Sequence, residues 1–208
     1  MIKVIEYILK KIVVKFNAQK LKKINDFLFI FIEKIVVKLD KLIYIYLDFY
    51  KPIVINELKF LDISNKKNIL HIGSGPIPAT SILISNKTNS KITCLDKNLK
   101  SIKQAKVLLS KIKKNKQITV IFSDLKDIQF SLYDLIIVSQ GVEPYLKILK
   151  DISKQMKKDT KIIFRTSLDS KGKISNQDII LKKYFIFKNI VPQKKNALLV
   201  SLILEKKI

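Results

Sequence analysis

Apolar and polar positions follow two regimes along this chain. Through residue 65 apolar residues recur at helical spacings, with no glycine and one proline, which predicts two or three helices. From Lys66 onward short apolar runs of strand length appear at 68–72, 91–95, 118–122, 134–138 and 160–164. Helix-like stretches at 79–85, 99–114 and 144–157 lie between them. Strand alternating with helix implies crossover connections and a mainly parallel sheet. The tail adds two runs, 184–187 and 197–204, expected to form an antiparallel pair at one sheet edge. The division predicted is a small N-terminal helical region over 1–65 and an α/β domain over 66–208.

The first strand runs into Gly73-Ser74-Gly75, and these two glycines are half of the four in the protein. A glycine turn between a strand and a helix lets the backbone approach a ligand closely. Ligands of open parallel sheets sit beyond the carboxyl ends of the strands, so the residues at those ends form the candidate site. The first strand ends on the glycine turn, where backbone N–H groups and a helix N-terminus are expected to face outward. The second ends on Asp96, placed to accept from two ribose hydroxyls. The third ends on Ser123-Asp124, suited to an adenine amino group. The fourth ends on Ser139-Gln140-Gly141-Val142-Glu143-Pro144, with Gln140 facing the ligand, and the fifth on Arg165-Thr166-Ser167. Taken singly, an acid after a strand is often only a helix cap or a turn residue. A dinucleotide fingerprint would require glycine at position 78, where the chain has Pro78. Pro76 and Pro78 also remove N–H donors from a pyrophosphate cradle, so an adenosine without phosphates fits better.

Composition narrows the classes. One cysteine, Cys94, and one histidine, His71, exclude a disulfide framework and a multi-cysteine metal site, and no structural metal is expected. His71 falls inside the first strand, where a buried, hydrogen-bonded imidazole is expected. The formal charge of +24 would attract polyanions. Yet all basic residues except Arg165 are lysines, spread through every segment, which matches A/T-rich codon usage and solvated faces. Without an aromatic RNA-binding pattern or arginine-rich tract, nucleic acid is the less favoured partner. The apolar stretch 27–44 is interrupted by Glu33, Lys34, Lys38, Asp40 and Lys41, short of the roughly 18 residues a membrane span needs. The opening residues lack a signal-peptide cleavage site. The expectation is a cytoplasmic protein without a transmembrane segment, open to pairing with a second copy.

Glycine motif, acid after strand two and aspartate after strand three together resemble the class I S-adenosylmethionine-dependent methyltransferases, and so imply their Rossmann-like fold. A closer resemblance is to nicotianamine synthases. Gly73-Ser-Gly-Pro-Ile-Pro-Ala-Thr-Ser-Ile-Leu is similar to their Gly-Ser-Gly-Pro-Leu-Pro-x-Thr-Ser-Ile motif. Tyr44-x-Tyr46-x3-Tyr50-x6-Glu57 resembles their tyrosine-rich segment, and Gly141-Val-Glu-Pro and Lys161-Ile-Ile-Phe-Arg-Thr resemble their fourth- and fifth-strand segments.

The resemblance covers roughly residues 44–204. It implies transfer of the 3-amino-3-carboxypropyl group of S-adenosylmethionine, a co-substrate, to an amine or amino acid, with release of methylthioadenosine. The product class is a metal-chelating small molecule. Tyr50 then borders the active site and orients the amine. Glu143 opens a helix or binds a substrate amine, while Tyr44 and Tyr46 read as core aromatics with hydroxyls at the rim. Arg165, the sole arginine, suits a substrate carboxylate, since lysine cannot imitate a bidentate fork; a structural ion pair with a nearby aspartate is the alternative. The family's glutamate base precedes the tyrosine segment, where Asp26 lies nearer the expected spacing than Glu33. The alternative activity is methyl transfer to a small molecule or RNA.

Overall fold

A computed structural model of the chain describes Glu33 and residues 40–112, 117–168, 174, 176–193 and 199–207. Helix α1 (Asp40–Leu58) precedes β1 (Asn68–Ile72), α2 (Ala79–Ser85), β2 (Lys91–Asp96), α3 (Leu99–Lys111) and β3 (Ile118–Phe122). Two 3-10 turns follow, then β4 (Leu135–Val138), α4 (Tyr145–Gln155), β5 (Lys161–Ser167), α5 (Asn176–Ile179), β6 (Phe185–Pro192) and β7 (Leu199–Lys206).

The strands form one sheet in the order β3-β2-β1-β4-β5-β7-β6. The first five are mutually parallel, and β7 pairs antiparallel with both β5 and β6. The order in which strands are added reverses between β1 and β4, so a topological switch opens beside the glycine turn. The architecture matches the expected sheet, including its antiparallel C-terminal pair. Boundaries moved in one way that matters. β5 continues to Ser167, which places Arg165 inside the strand rather than beyond its end.

Each element follows from its pattern. The β4 residues Leu135, Ile136, Ile137 and Val138 are all fully buried, as expected for a central strand covered on both faces. Burial of such a side chain is worth roughly 1.5–3 kcal/mol. Helix α4 buries Tyr145, Ile148, Leu149 and Ile152, one stripe at helical spacing. Helix α3 starts where the Asn98 side chain accepts from the Lys100 and Ser101 amides.

Strand alternation divides the core in two. Ile69, Ile137, Ile163 and Ile203 pack on one face with Ile43, Tyr46 and Val54 of α1 and Ile82 of α2. Leu70, Ile136, Phe164 and Leu202 pack on the other with Leu149 of α4. Helix α1 therefore lies in the same core as the sheet. By the same period, Arg165 follows Ile163 onto the α1 face, and Ser201, its register partner in β7, joins it there. No helix among the described residues is long and apolar enough to cross a membrane.

Candidate functional site

A cleft of about 1290 Å³ opens over the carboxyl ends of the parallel strands, and every site residue expected from the sequence lines it. The glycine turn forms its floor. Gly73 and Gly75 have φ of 71° and 67°, a region open to glycine at little cost. A Cβ on Gly73 would lie 2.3 Å from Val142 Cγ2, so this glycine also lets the β4 loop close over the turn.

The turn's N–H groups do not face outward as expected. Gly73 N and Ser74 N donate to Leu95 O at 2.8 and 3.2 Å, and Gly75 N donates to Asp96 Oδ2 at 2.9 Å. All three are spent on the end of β2, and Pro76 and Pro78 have none to give. Helix α2 is only seven residues long and its N-cap makes no side-chain hydrogen bond. The turn is thus no cradle for a pyrophosphate.

Asp96 and Asp124 stand at the ends of β2 and β3 and are held by their own backbones. Asp96 Oδ1 accepts from Asn98 N at 2.8 Å, and Asp124 Oδ1 from Lys126 N at 3.2 Å. Ser123 donates to Asp124 O. Gln140 Nε2 donates to Ser167 Oγ at 2.9 Å, which turns the β4 loop toward β5. The Tyr145 amide donates to Glu143 Oε2 at 3.3 Å, so Glu143 marks the start of α4.

His71 is buried and hydrogen-bonded at both ring nitrogens, Nδ1 to Ser81 Oγ at 2.8 Å and Nε2 to Ser139 Oγ at 2.9 Å. Burial, helped by the Arg165 charge, lowers its pKa to about 3. It stays neutral and joins β1, α2 and the β4 loop.

Two side-chain chains converge on the cleft from α1. In the first, Tyr46 Oη donates to Glu33 Oε1 at 2.8 Å, and the Tyr46 and Tyr50 rings lie 4.9 Å apart. Glu33 is half-buried, and its Oε1 lies 3.2 Å from where a Gly75 Cβ would stand. Burial raises its pKa to about 7; the Tyr46 hydrogen bond opposes that shift and the Asp96 charge adds to it. Burial likewise pushes both phenols up. Glu33, which by spacing stood second to Asp26, is helical and its side chain lines the cleft. Asp26 lies outside the described residues. Tyr46 is buried with its hydroxyl at the site, as expected, whereas Tyr44, read as a core aromatic, is 73% exposed.

In the second chain, Arg165 Nε and Nη2 donate to Glu57 Oε1 and Oε2, both at 2.8 Å, and Nη1 donates to Thr80 Oγ1 at 2.9 Å. The fork expected to hold a substrate carboxylate is spent on Glu57. The reason is strand alternation, which turns Arg165 onto the α1 face where Glu57 is fully buried. The guanidinium also lies 5.8 Å from the Tyr50 ring centroid, so it braces that tyrosine. Ser201 and Gln193 extend this chain into the cleft, and nothing in the sequence pattern singled them out.

The fold is similar to that of solved structures. MtNAS, as a glutamate-to-glutamine mutant in complex with S-adenosylmethionine, superposes with a TM-score of 0.67 at 20% identity. That match covers 77% of this chain and 63% of MtNAS, so the chain spans less than two thirds of its relative. MtNAS in complex with MTA and tNA gives 0.67 at 19% identity over 77% and 61%. The mitomycin 7-O-methyltransferase MmcR gives 0.60 at 13% identity over 78% and 54%. These likenesses establish the Rossmann-like methyltransferase fold. No curated protein is significantly similar in sequence. The family whose model does match, over residues 10–208, is described as nicotianamine synthase protein, and the chain belongs to that family.

Proposed function

We propose that this protein transfers the 3-amino-3-carboxypropyl group of S-adenosylmethionine to an amine, releasing methylthioadenosine. The observation that carries this reading is Glu33, a carboxyl with a pKa of about 7, bonded by Tyr46 and set against the glycine turn. A base titrating near neutrality suits removal of a proton from an attacking amine.

The cleft fits the co-substrate. Asp96 and Asp124 offer acceptors where ribose and adenine would lie, and the glycine turn's amides, already bonded to the end of β2, form no phosphate cradle. Glu33, Asp96 and Glu143 supply negative charge around a sulfonium, within a molecule of net charge +24. Tyr50, braced by Arg165, closes the α1 side and helps hold the amine in line while excluding water. In the reaction the N–C bond forms, the C–S bond breaks with its electron pair left on sulfur, and the released proton passes to Glu33. Family membership and the MtNAS likeness, one form of which holds MTA and tNA, support the same chemistry.

The test is product identity. Purified protein, S-adenosylmethionine and amino-acid acceptors should yield methylthioadenosine. S-Adenosylhomocysteine as the nucleoside product would instead establish methyl transfer and overturn the reading.

A further inference from the structure

Hydrogen directions in the second chain are fixed from one end. Arginine carries only donors, so both Glu57 oxygens accept from Arg165. Ser201 Oγ lies 2.6 Å from Glu57 Oε1, and a carboxylate in an arginine fork has no hydrogen to give. The single Ser201 hydrogen therefore goes to Glu57, and Ser201 can only accept from Gln193, 3.0 Å away. This sets the Gln193 amide: its NH2 faces Ser201 and its Oε1 faces the other way. Among the described residues Oε1 has no hydrogen-bond partner, although Gln193 is only 3% exposed and lines the cleft. A buried carbonyl left so is an acceptor awaiting a donor.

We propose that Gln193 Oε1 is the subsite for the amino group of the acceptor substrate, with Arg165, Glu57 and Ser201 as the lock that orients it. This deepens the transferase reading and rests on it. The occupant must present a hydrogen-bond donor, which an amino group supplies, since a carboxylate would set oxygen against oxygen. Position selects the acceptor rather than the co-substrate. Gln193 follows β6 beside the start of β7, and β7 is four strands from β2 in the sheet order. At about 4.8 Å per strand, that separates Ser201 from the Asp96 end by about 19 Å. An adenosine held at Asp96 and Asp124 leaves the Gln193 end for a second molecule.

Calorimetric titration of the protein loaded with S-adenosylhomocysteine, which has no sulfonium leaving group, with the twenty standard amino acids, and with desamino counterparts of those that bind, tests this without turnover. Wild type should bind at least one amino acid tenfold or more tighter than its desamino counterpart. Q193L should lose that preference, keep S-adenosylmethionine affinity within twofold, and raise acceptor KM at least tenfold with a smaller change in kcat. Should Q193L not fold, S201A serves: it frees the amide to flip, and the preference should fall threefold or more. No amine-dependent binding in wild type, an unchanged preference in the folded variants, or a loss confined to S-adenosylmethionine affinity would each overturn the proposal. Amine-dependent binding without methylthioadenosine formation would instead count against the transferase reading alone.

Discussion

Glu57 of α1 and Arg165 of β5 stand 108 residues apart in sequence and meet through two parallel hydrogen bonds of 2.8 Å. The pair fastens the tyrosine helix to the sheet and stands directly behind the cleft. Burial opposes the Arg165 charge, but the Glu57 carboxylate, together with Tyr50 and Tyr46, raises the arginine's pKa above its ordinary value. Removing one partner leaves a buried charge alone, at a cost of about 3–5 kcal/mol. We expect R165M and E57L each to lower urea-unfolding stability by that order. The double variant should lose much less than the sum. Additive losses would show that the two side chains do not act as a pair.

Glu33 sets the expected pH dependence of rate. Turnover should rise with pH through about 7 as its carboxyl ionises, and E33Q should lower kcat by about 10²–10⁴-fold and flatten that limb. S-Adenosylmethionine binding should survive the change. An E33Q enzyme with wild-type kcat would remove Glu33 from the role of base.

The same residue affects stability with the opposite sign to an ordinary salt-bridged acid. Its native pKa lies above the unfolded value of 4.5, so the folded protein holds more protons between pH 4.5 and 7 and loses stability as pH rises there. The loss is about 3 kcal/mol. Chemical denaturation should find E33Q more stable than wild type at pH 8 and equal to it at pH 4. His71 acts in the other direction. With a native pKa of about 3, it contributes stability that is lost as pH falls below its unfolded value of 6.5. H71Q should remove that acid-side loss while weakening the fold at pH 8.

The two glycines of the turn should separate in their effects. G73A drives a methyl into Val142 and strains a positive φ, so it should cost more than about 2 kcal/mol in denaturant melts. G75A meets the Glu33 carboxyl instead, at 3.2 Å, and should reduce kcat by a larger factor than G73A for less loss of stability. Equal stability losses would place Gly75 in the scaffold alone.

Much of the sheet was legible because apolar runs of four to eight residues separated by helical spacing have few other outcomes. The chain of strand-end residues followed from the topology, and all of it but Thr166 and Ser167 lines the cleft. Arg165 shows where such reading ends. Its type was informative, but its partner depended on β5 running three residues further and on the face that the pleat assigned to it. Gln193 and Ser201 were invisible for a related reason. Their importance lies in the direction of a hydrogen bond begun at Glu57, and sequence spacing holds no record of direction. Glu33 is one of five charged residues that interrupt an apolar helical pattern, where an acid is ordinarily just solvated.

The glycine turn arrives at the cleft already satisfied, with three amides bonded to the end of β2. A loop in that state has nothing to rearrange when a ligand lands on it. Association should therefore show a single kinetic phase whose rate is proportional to ligand concentration, with no slower phase of loop ordering behind it. Discrimination among adenosine ligands would then reside in dissociation, governed by how well each one meets the fixed carboxylates of Asp96 and Asp124.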